Sequence, residues 1–129
     1  MAGLQPELWV DRAGEAVAFY IAAFDATVLH QVGDGDEVVA QLSVDGAAFW
    51  VGSADAAMGR LSPHQADGTT GRTLLVIDDP AAVIRAAVTA GARELAAVAD
   101  EHGWRLGRIV DPFGHEWEIG HPLGRWPPD

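Results

Sequence analysis

Residues able to do chemistry are few in this sequence, and most familiar catalytic arrangements are missing from it. Cysteine is absent, which removes thiolate metal ligands, cysteine nucleophiles and disulfides together. The histidines are His30, His64, His102, His115 and His121, and none stands at the i, i+4 spacing with a glutamate that zinc proteases use. No Gly-x-Ser-x-Gly elbow presents a serine nucleophile, so no Ser/His/Asp triad can be argued. No glycine loop of the phosphate-cradling kind occurs. What remains is acidic and aromatic: Glu7 with Trp9, Trp50, Trp104-Arg105-Leu106-Gly107-Arg108, and Glu116-Trp117-Glu118 after the turn Asp111-Pro112-Phe113-Gly114. Indoles supply flat area for stacking and attract cations, and carboxylates hold cations directly. Among the histidines His64 is the one to watch, because Ser62-Pro63-His64-Gln65 lies in a long loop able to cover a cavity. The others read as surface or turn residues.

The charge balance narrows the partners. Eight basic residues, all arginine, stand against 19 acidic ones, a formal net charge of −11. Nucleic acid is excluded as a default partner, since a phosphate backbone needs a basic stripe. With 49% hydrophobic and 21% charged residues the composition is that of an ordinary folded protein rather than a disordered one. A length of 129 residues predicts one domain. The start, Met1-Ala2-Gly3-Leu4-Gln5-Pro6-Glu7, has neither the basic residues nor the apolar core of a signal peptide, and no apolar run nears the ~20 residues of a membrane helix. The reading is a cytoplasmic protein with no membrane partner.

The elements that must position these residues come twice. Leu8-Trp9-Val10-Asp11, then Ala16 to Tyr20, then Phe24-Asp25-Ala26-Thr27 parallels Leu75-Val76-Ile77-Asp78, then Ala82-Val83-Ile84, then Ala90-Gly91-Ala92-Arg93, at an offset of about 67. Asp45-Gly46 through Gly52 likewise parallels Phe113-Gly114 through Gly120. An internal repeat of this kind means two copies of one supersecondary unit. In copy one the spacing predicts a helix over about 13–24, with Val17, Tyr20, Ile21 and Phe24 on one stripe. Strands are predicted at 27–30, 37–44 and 47–51, joined by turns at Asp34-Gly35 and Asp45-Gly46. In copy two Asp79 caps a helix that opens on Pro80, carries Val83, Ile84, Ala87 and Val88, and closes at Gly91. Strands follow at 108–110 and 115–119. Each copy is β-α-β-β-β, with a Gly/Ser/Thr-rich loop at 53–71 between them and an extended tail from 122, where Trp126 is expected at an interface.

Two such modules closed by Gly107-Arg108-Ile109-Val110-Asp111-Pro112-Phe113-Gly114-His115-Glu116-Trp117-Glu118 resemble the vicinal oxygen chelate superfamily, the glyoxalase, bleomycin-resistance and extradiol dioxygenase fold. Pro6 to Asp11 with Ala18-Phe19-Tyr20 and Phe24 is most similar to the branch holding bleomycin-resistance and PhnB-like proteins. The resemblance implies an α+β fold: two tandem βαβββ modules (about 4–52 and 72–122, linker 53–71, tail 123–129) forming a cupped mixed sheet around a cavity. It also implies a homodimer and a metal held by the first and last strands of each module. Carried over residue by residue, the four metal positions are Gln5, Trp50, Arg72 and Glu118. An indole N–H donates only and a guanidinium is a cation at any working pH. Two of four positions are thus incompatible with a divalent ion, and the expectation is no metal and no other cofactor.

Strand alternation then sorts the faces. With Gln5 and Glu118 turned to the cavity, Glu7, Trp9, Ala48, Trp50, Arg72, Leu74 and Glu116 face it too, and Trp104 and Arg108 are placed on its lining by the resemblance. Leu8, Val10, Phe49, Val51, Leu75, Ile77, Trp117 and Ile119 face the helices. The ligand-binding set is therefore Glu7, Trp9, Trp50, Arg72, Trp104, Arg108, Glu116 and Glu118, with an internal Arg72–Glu118 ion pair and space-filling tryptophans as the alternative. The functional reading is a small-molecule binder that sequesters a cationic or planar aromatic compound, such as an antibiotic. The alternative is an enzyme of the same fold, metal-dependent or using Glu7 or Glu118 as a general base.

Overall fold

The computed structural model describes residues 1–128, and each half of the chain builds one four-stranded sheet. In the first half these are β1 (Glu7–Val10), β2 (Thr27–Val32), β3 (Val39–Val44) and β4 (Ala47–Ser53), in spatial order β1-β4-β3-β2. In the second half they are β5 (Thr73–Val76), β6 (Arg93–Glu101), β7 (Trp104–Val110) and β8 (Glu116–Pro122), in order β5-β8-β7-β6. Each first strand pairs parallel with its module's last strand, and the other pairs are antiparallel. The repeat seen in the sequence is thus a repeat of topology.

Helix α1 (Ala13–Phe24) ends where Asp25 turns left-handed, with φ 55°. In α3 (Pro80–Thr89) the Asp79 carboxylate accepts from the Ala82 N–H at 3.1 Å and Pro80 fills the first turn, where its missing N–H costs nothing. One expectation is corrected in the first module. Gly35–Glu37 form a turn of 3-10 helix and the strand begins only at Val39, because the N–H groups of Glu37 and Val38 donate back to the carbonyls of Asp34 at 3.1 Å and Gly35 at 3.4 Å and keep both residues in the turn. The 53–71 segment also carries structure: a 3-10 turn at Ala56–Met58 and a one-turn helix, α2 (Pro63–Ala66).

The alternation sets the core. Leu8, Val10, Phe49, Val51, Leu75, Trp117 and Ile119 are all buried, in one cluster that joins both halves. Ile77, expected with them, is only partly buried and packs on that cluster's edge. Phe49 of β4 meets Trp117 of β8 at 5.4 Å between ring centroids, and Tyr20 of α1 meets the same indole at 5.6 Å. Edge-on contacts such as that of Phe49 with Trp117 add to the area they bury.

Within this apolar cluster sits one carboxylate. Asp111 is 4% exposed and takes four hydrogen bonds, from the Tyr20 hydroxyl at 2.5 Å, Trp117 Nε1 at 3.0 Å, and the backbone N–H groups of Phe113 and His115 at 2.9 Å each. The closing turn of module two is thereby tied to the helix of module one. Burial and the adjacent Asp111 charge push the Tyr20 phenol well above its ordinary value of 10.0. A group raised in the folded state contributes stability below its unfolded value that is lost as pH rises. Stability is therefore expected to fall above a pH of about 10, in urea titrations at stepped pH. Tyr20→Phe, with no proton to lose, is expected to remove this part of the alkaline decline.

Candidate functional site

Gln5 and Arg72 each stand just ahead of the first strand of their module, and Trp50 and Glu118 lie in the last strands. Each pair is closed on itself. In module one, Trp50 Nε1 donates to Gln5 Oε1 at 2.8 Å and Gln41 Nε2 donates to the same oxygen at 3.0 Å. The ring of His30 stands edge-on to Trp50 at 6.4 Å. In module two, Glu118 lies between two guanidiniums, with Arg72 at 3.2 Å and Arg108 at 2.9 Å. Arg72 also reaches Glu116 at 3.5 Å, and Arg108 reaches Glu101 at 3.7 Å. The Glu118 side chain is 14% exposed, so its charge is screened less than a surface pair's.

These pairings test the metal. A divalent ion needs several lone pairs converging on one point. At the four positions one carboxylate is already neutralised by two arginines, one amide oxygen is engaged by two donors, and the other two side chains have no lone pair to give. The donor set does not fit the ion, and no group of three or more His, Cys, Asp or Glu residues able to hold one occurs among the described residues.

The other candidates fall into two cavities rather than one. A space of about 410 Å3 is bounded by Trp9 and Glu116 on strands β1 and β8, by Arg72 and His115 just ahead of β5 and β8, and by Leu61, Pro63 and Gly68–Gly71 of the linker. A second, of about 220 Å3, is bounded by Glu7, Trp9, Val39, Trp50 and Arg60. Trp9 is a wall of both and is 40% exposed. Arg108, Glu118 and Trp104 line neither. The first two form the ion-pair network, and Trp104 is met edge-on by Trp126 of the tail at 5.1 Å. Trp126 touches Trp104 within the chain and is still 58% exposed.

The linker wall is positioned by α2. Ser62 and Gln65 form a reciprocal capping box, and Pro63 is buried against the closing turn of module two. Gly114 there has φ +90°, and a Cβ on it would stand 2.7 Å from Pro63 Cβ, so only glycine permits the approach. His64 Nδ1 lies 3.0 Å from the Asp11 carboxylate at the end of β1. Burial works to raise the Asp11 carboxyl, but the hydrogen bond with His64, its own backbone N–H and the charges of His64 and Arg12 outweigh it and hold it below the ordinary carboxylate value. His64 is therefore a latch for the linker. The Ser-x-x-Gln pattern with proline after the cap is a helix-start signal, and it is the one that marks α2 in the sequence. His115 Nε2 bonds the Trp9 carbonyl at 2.8 Å and His121 Nδ1 the Ile77 carbonyl at 3.1 Å. Both tie strand ends together.

With this geometry in view, comparison with known proteins places the chain. The glyoxalase-like domain family matches over residues 7–120. This chain belongs to that family. A curated relative, the uncharacterized protein Mb0911c of Mycobacterium bovis, is 36% identical over 126 residues, which cover 93% of this chain and 83% of the relative. Among solved structures, a gene product of Arabidopsis thaliana superposes with TM-score 0.72 at 27% identity, over 92% of this chain and 98% of that one. A glyoxalase/bleomycin resistance protein/dioxygenase family enzyme from Burkholderia phytofirmans superposes with TM-score 0.69 at 17% identity, over 91% and 95%. The superfamily resemblance and the two-module α+β fold both hold for this glyoxalase-like chain. No helix is long and apolar enough to cross a membrane among the described residues.

Proposed function

We infer that this glyoxalase-like protein binds a small molecule without the superfamily's metal, and that the ligand is a planar, cationic aromatic compound, as some antibiotics are. The observation that carries this reading is the self-closure of both position pairs, Trp50 onto Gln5 and Arg72 onto Glu118. Side chains already satisfied by one another leave no electrophile for metal-assisted chemistry. They leave indole faces instead. Trp9 and Trp50 supply flat area, Glu7 and Glu116 supply negative charge at the two cavities, and the net charge of −11 draws cations toward the protein at low salt.

Tryptophan fluorescence titrated with proflavine, a planar cation, tests the reading. Saturable quenching is expected, and Trp50→Ala is expected to weaken it more than about tenfold, the loss of a stacked aromatic partner. Trp126→Ala, at a residue that lines neither cavity, is expected to bind as the parent does. Absent saturation across a series of planar cations, or unchanged binding in Trp50→Ala, contradicts the reading.

A further inference from the structure

A third cavity differs in chemistry from the two at Trp9. It is a slot of about 390 Å3 between the start of β1, the β3–β4 hairpin and β5, bounded chiefly by Gln5, Phe49, Thr73, Leu74, Leu75 and Trp117. No aspartate, glutamate, arginine or histidine lines it, although the chain carries 27 Lys, Arg, Asp and Glu residues as 8 basic plus 19 acidic. The Trp9 cavities, by contrast, hold Arg72 with Glu116 and Glu7 with Arg60. The floor is deeply apolar, since Phe49, Leu75 and Trp117 are 5%, 6% and 2% exposed. The indole nitrogen of Trp117 is already spent on Asp111, so that side chain offers the slot no further donor.

The polar side chains at the slot are Gln5 and Thr73. Gln5 Oε1 accepts from both Trp50 and Gln41, which uses both of its lone pairs. Its amide N–H2 group has no hydrogen-bond partner among the described residues and keeps two donors free. Concave apolar spaces of this size with a few polar groups are the usual form of small-molecule sites. A charged ligand here would lose its hydration with no countercharge to replace it.

We propose that this slot is a second binding site, for an uncharged one- or two-ring aromatic compound carrying a hydrogen-bond acceptor that Gln5 meets. The proposal stands apart from the reading of the Trp9 cavities, because Thr73 is the one lining residue the slot shares with them and its ligand is uncharged rather than cationic.

The test uses Prodan, a neutral naphthalene with one carbonyl acceptor whose emission reports an apolar surrounding, titrated into the full chain. One equivalent is expected to bind saturably, while the anionic naphthalene sulfonate 1-anilino-8-naphthalenesulfonate is expected to bind at least tenfold more weakly. Ala47→Phe, at an exposed lining position, fills the slot, and Leu74→Arg, at a position 43% exposed, sets a charge on its rim. Each is expected to weaken Prodan at least tenfold, with Trp9→Ala within twofold of the parent. Circular dichroism checks that each variant folds, and the exposed Ala47 position keeps the test open if Leu74→Arg does not. No saturable binding, a folded Ala47→Phe that binds within threefold of the parent, or loss in Trp9→Ala overturns the proposal. So does affinity that falls as protein concentration rises, which would mean that a second copy of the chain fills the slot.

Discussion

Asp111→Ala is expected to cost about 3–5 kcal/mol of folding stability, a large part of the total for a domain of this size. The carboxylate lies 4% exposed and serves four donors. Alanine leaves two of them, the Tyr20 hydroxyl and the Trp117 indole N–H, without a partner in an apolar surrounding, at about 1–3 kcal/mol each. It also frees the closing turn, whose Phe113 and His115 N–H groups lose the acceptor that shapes Asp111 to Gly114. Urea denaturation should show the midpoint moving down with little change in slope, and a thermal midpoint lower by roughly 10 °C or more. Asp111→Asn keeps the shape and one acceptor but turns an N–H2 toward a donor, so an intermediate loss is expected. A cost under about 1 kcal/mol for the alanine variant would mean that the modules are not joined through this carboxylate.

Trp9→Ala is the second large effect, and it acts on binding rather than on folding. The Trp9 side chain is a wall of both charged cavities. A tryptophan contributes up to about 250 Å2, of which 40% is exposed here, leaving about 100 Å2 for a ligand to cover. At about 25 cal/mol per Å2 that is roughly 2.5 kcal/mol, so proflavine affinity is expected to drop between about ten- and a hundredfold. The backbone carbonyl of Trp9 still meets His115 in the variant, and the indole is half outside the core, so the thermal midpoint should move by only a few degrees. Fluorescence titration and a melt on the same preparation separate the two effects. Binding unchanged in both Trp9→Ala and Trp50→Ala would remove these cavities from the account.

What the sequence discloses about this fold is what local pattern can carry. Alternation in Leu8-Trp9-Val10 and in Trp117-Glu118-Ile119 separates core from cavity faces without any tertiary information, and the buried set follows it. The Asp79-Pro80 start of α3 is equally local. Three features are harder to read from local pattern, two of them because they depend on distant approach and α2 because it is short. Asp111 reads as a turn residue, and its role comes from Tyr20, 91 positions earlier. Four residues of α2 are too few for a helical period, although its capping box is written in Ser62 and Gln65. The division into separate cavities follows from how the module edges and the linker meet, which no strand period encodes. Hence a single lining of Glu7, Trp9, Trp50, Arg72, Glu116, Glu118, Arg108 and Trp104 resolves into two cavities, one ion-pair network and one indole pair.

The ion-pair network also explains why the alternation alone overestimates the site. Glu118 has the right face but not a free charge, since Arg72 and Arg108 both reach it. In a partly enclosed setting, removing one member of such a group leaves the others uncompensated. The network joins β7 and β8 to the residue just ahead of β5.

The central claim is that this site is closed to metal, and metal content decides it most directly. Elemental analysis of protein purified without chelator, followed by calorimetric titration with zinc, manganese, nickel and ferrous iron, is expected to find no stoichiometric ion and no binding heat. One equivalent of any of these ions, bound and lost again in Glu118→Gln, would contradict the account and turn the reading toward metal-dependent chemistry.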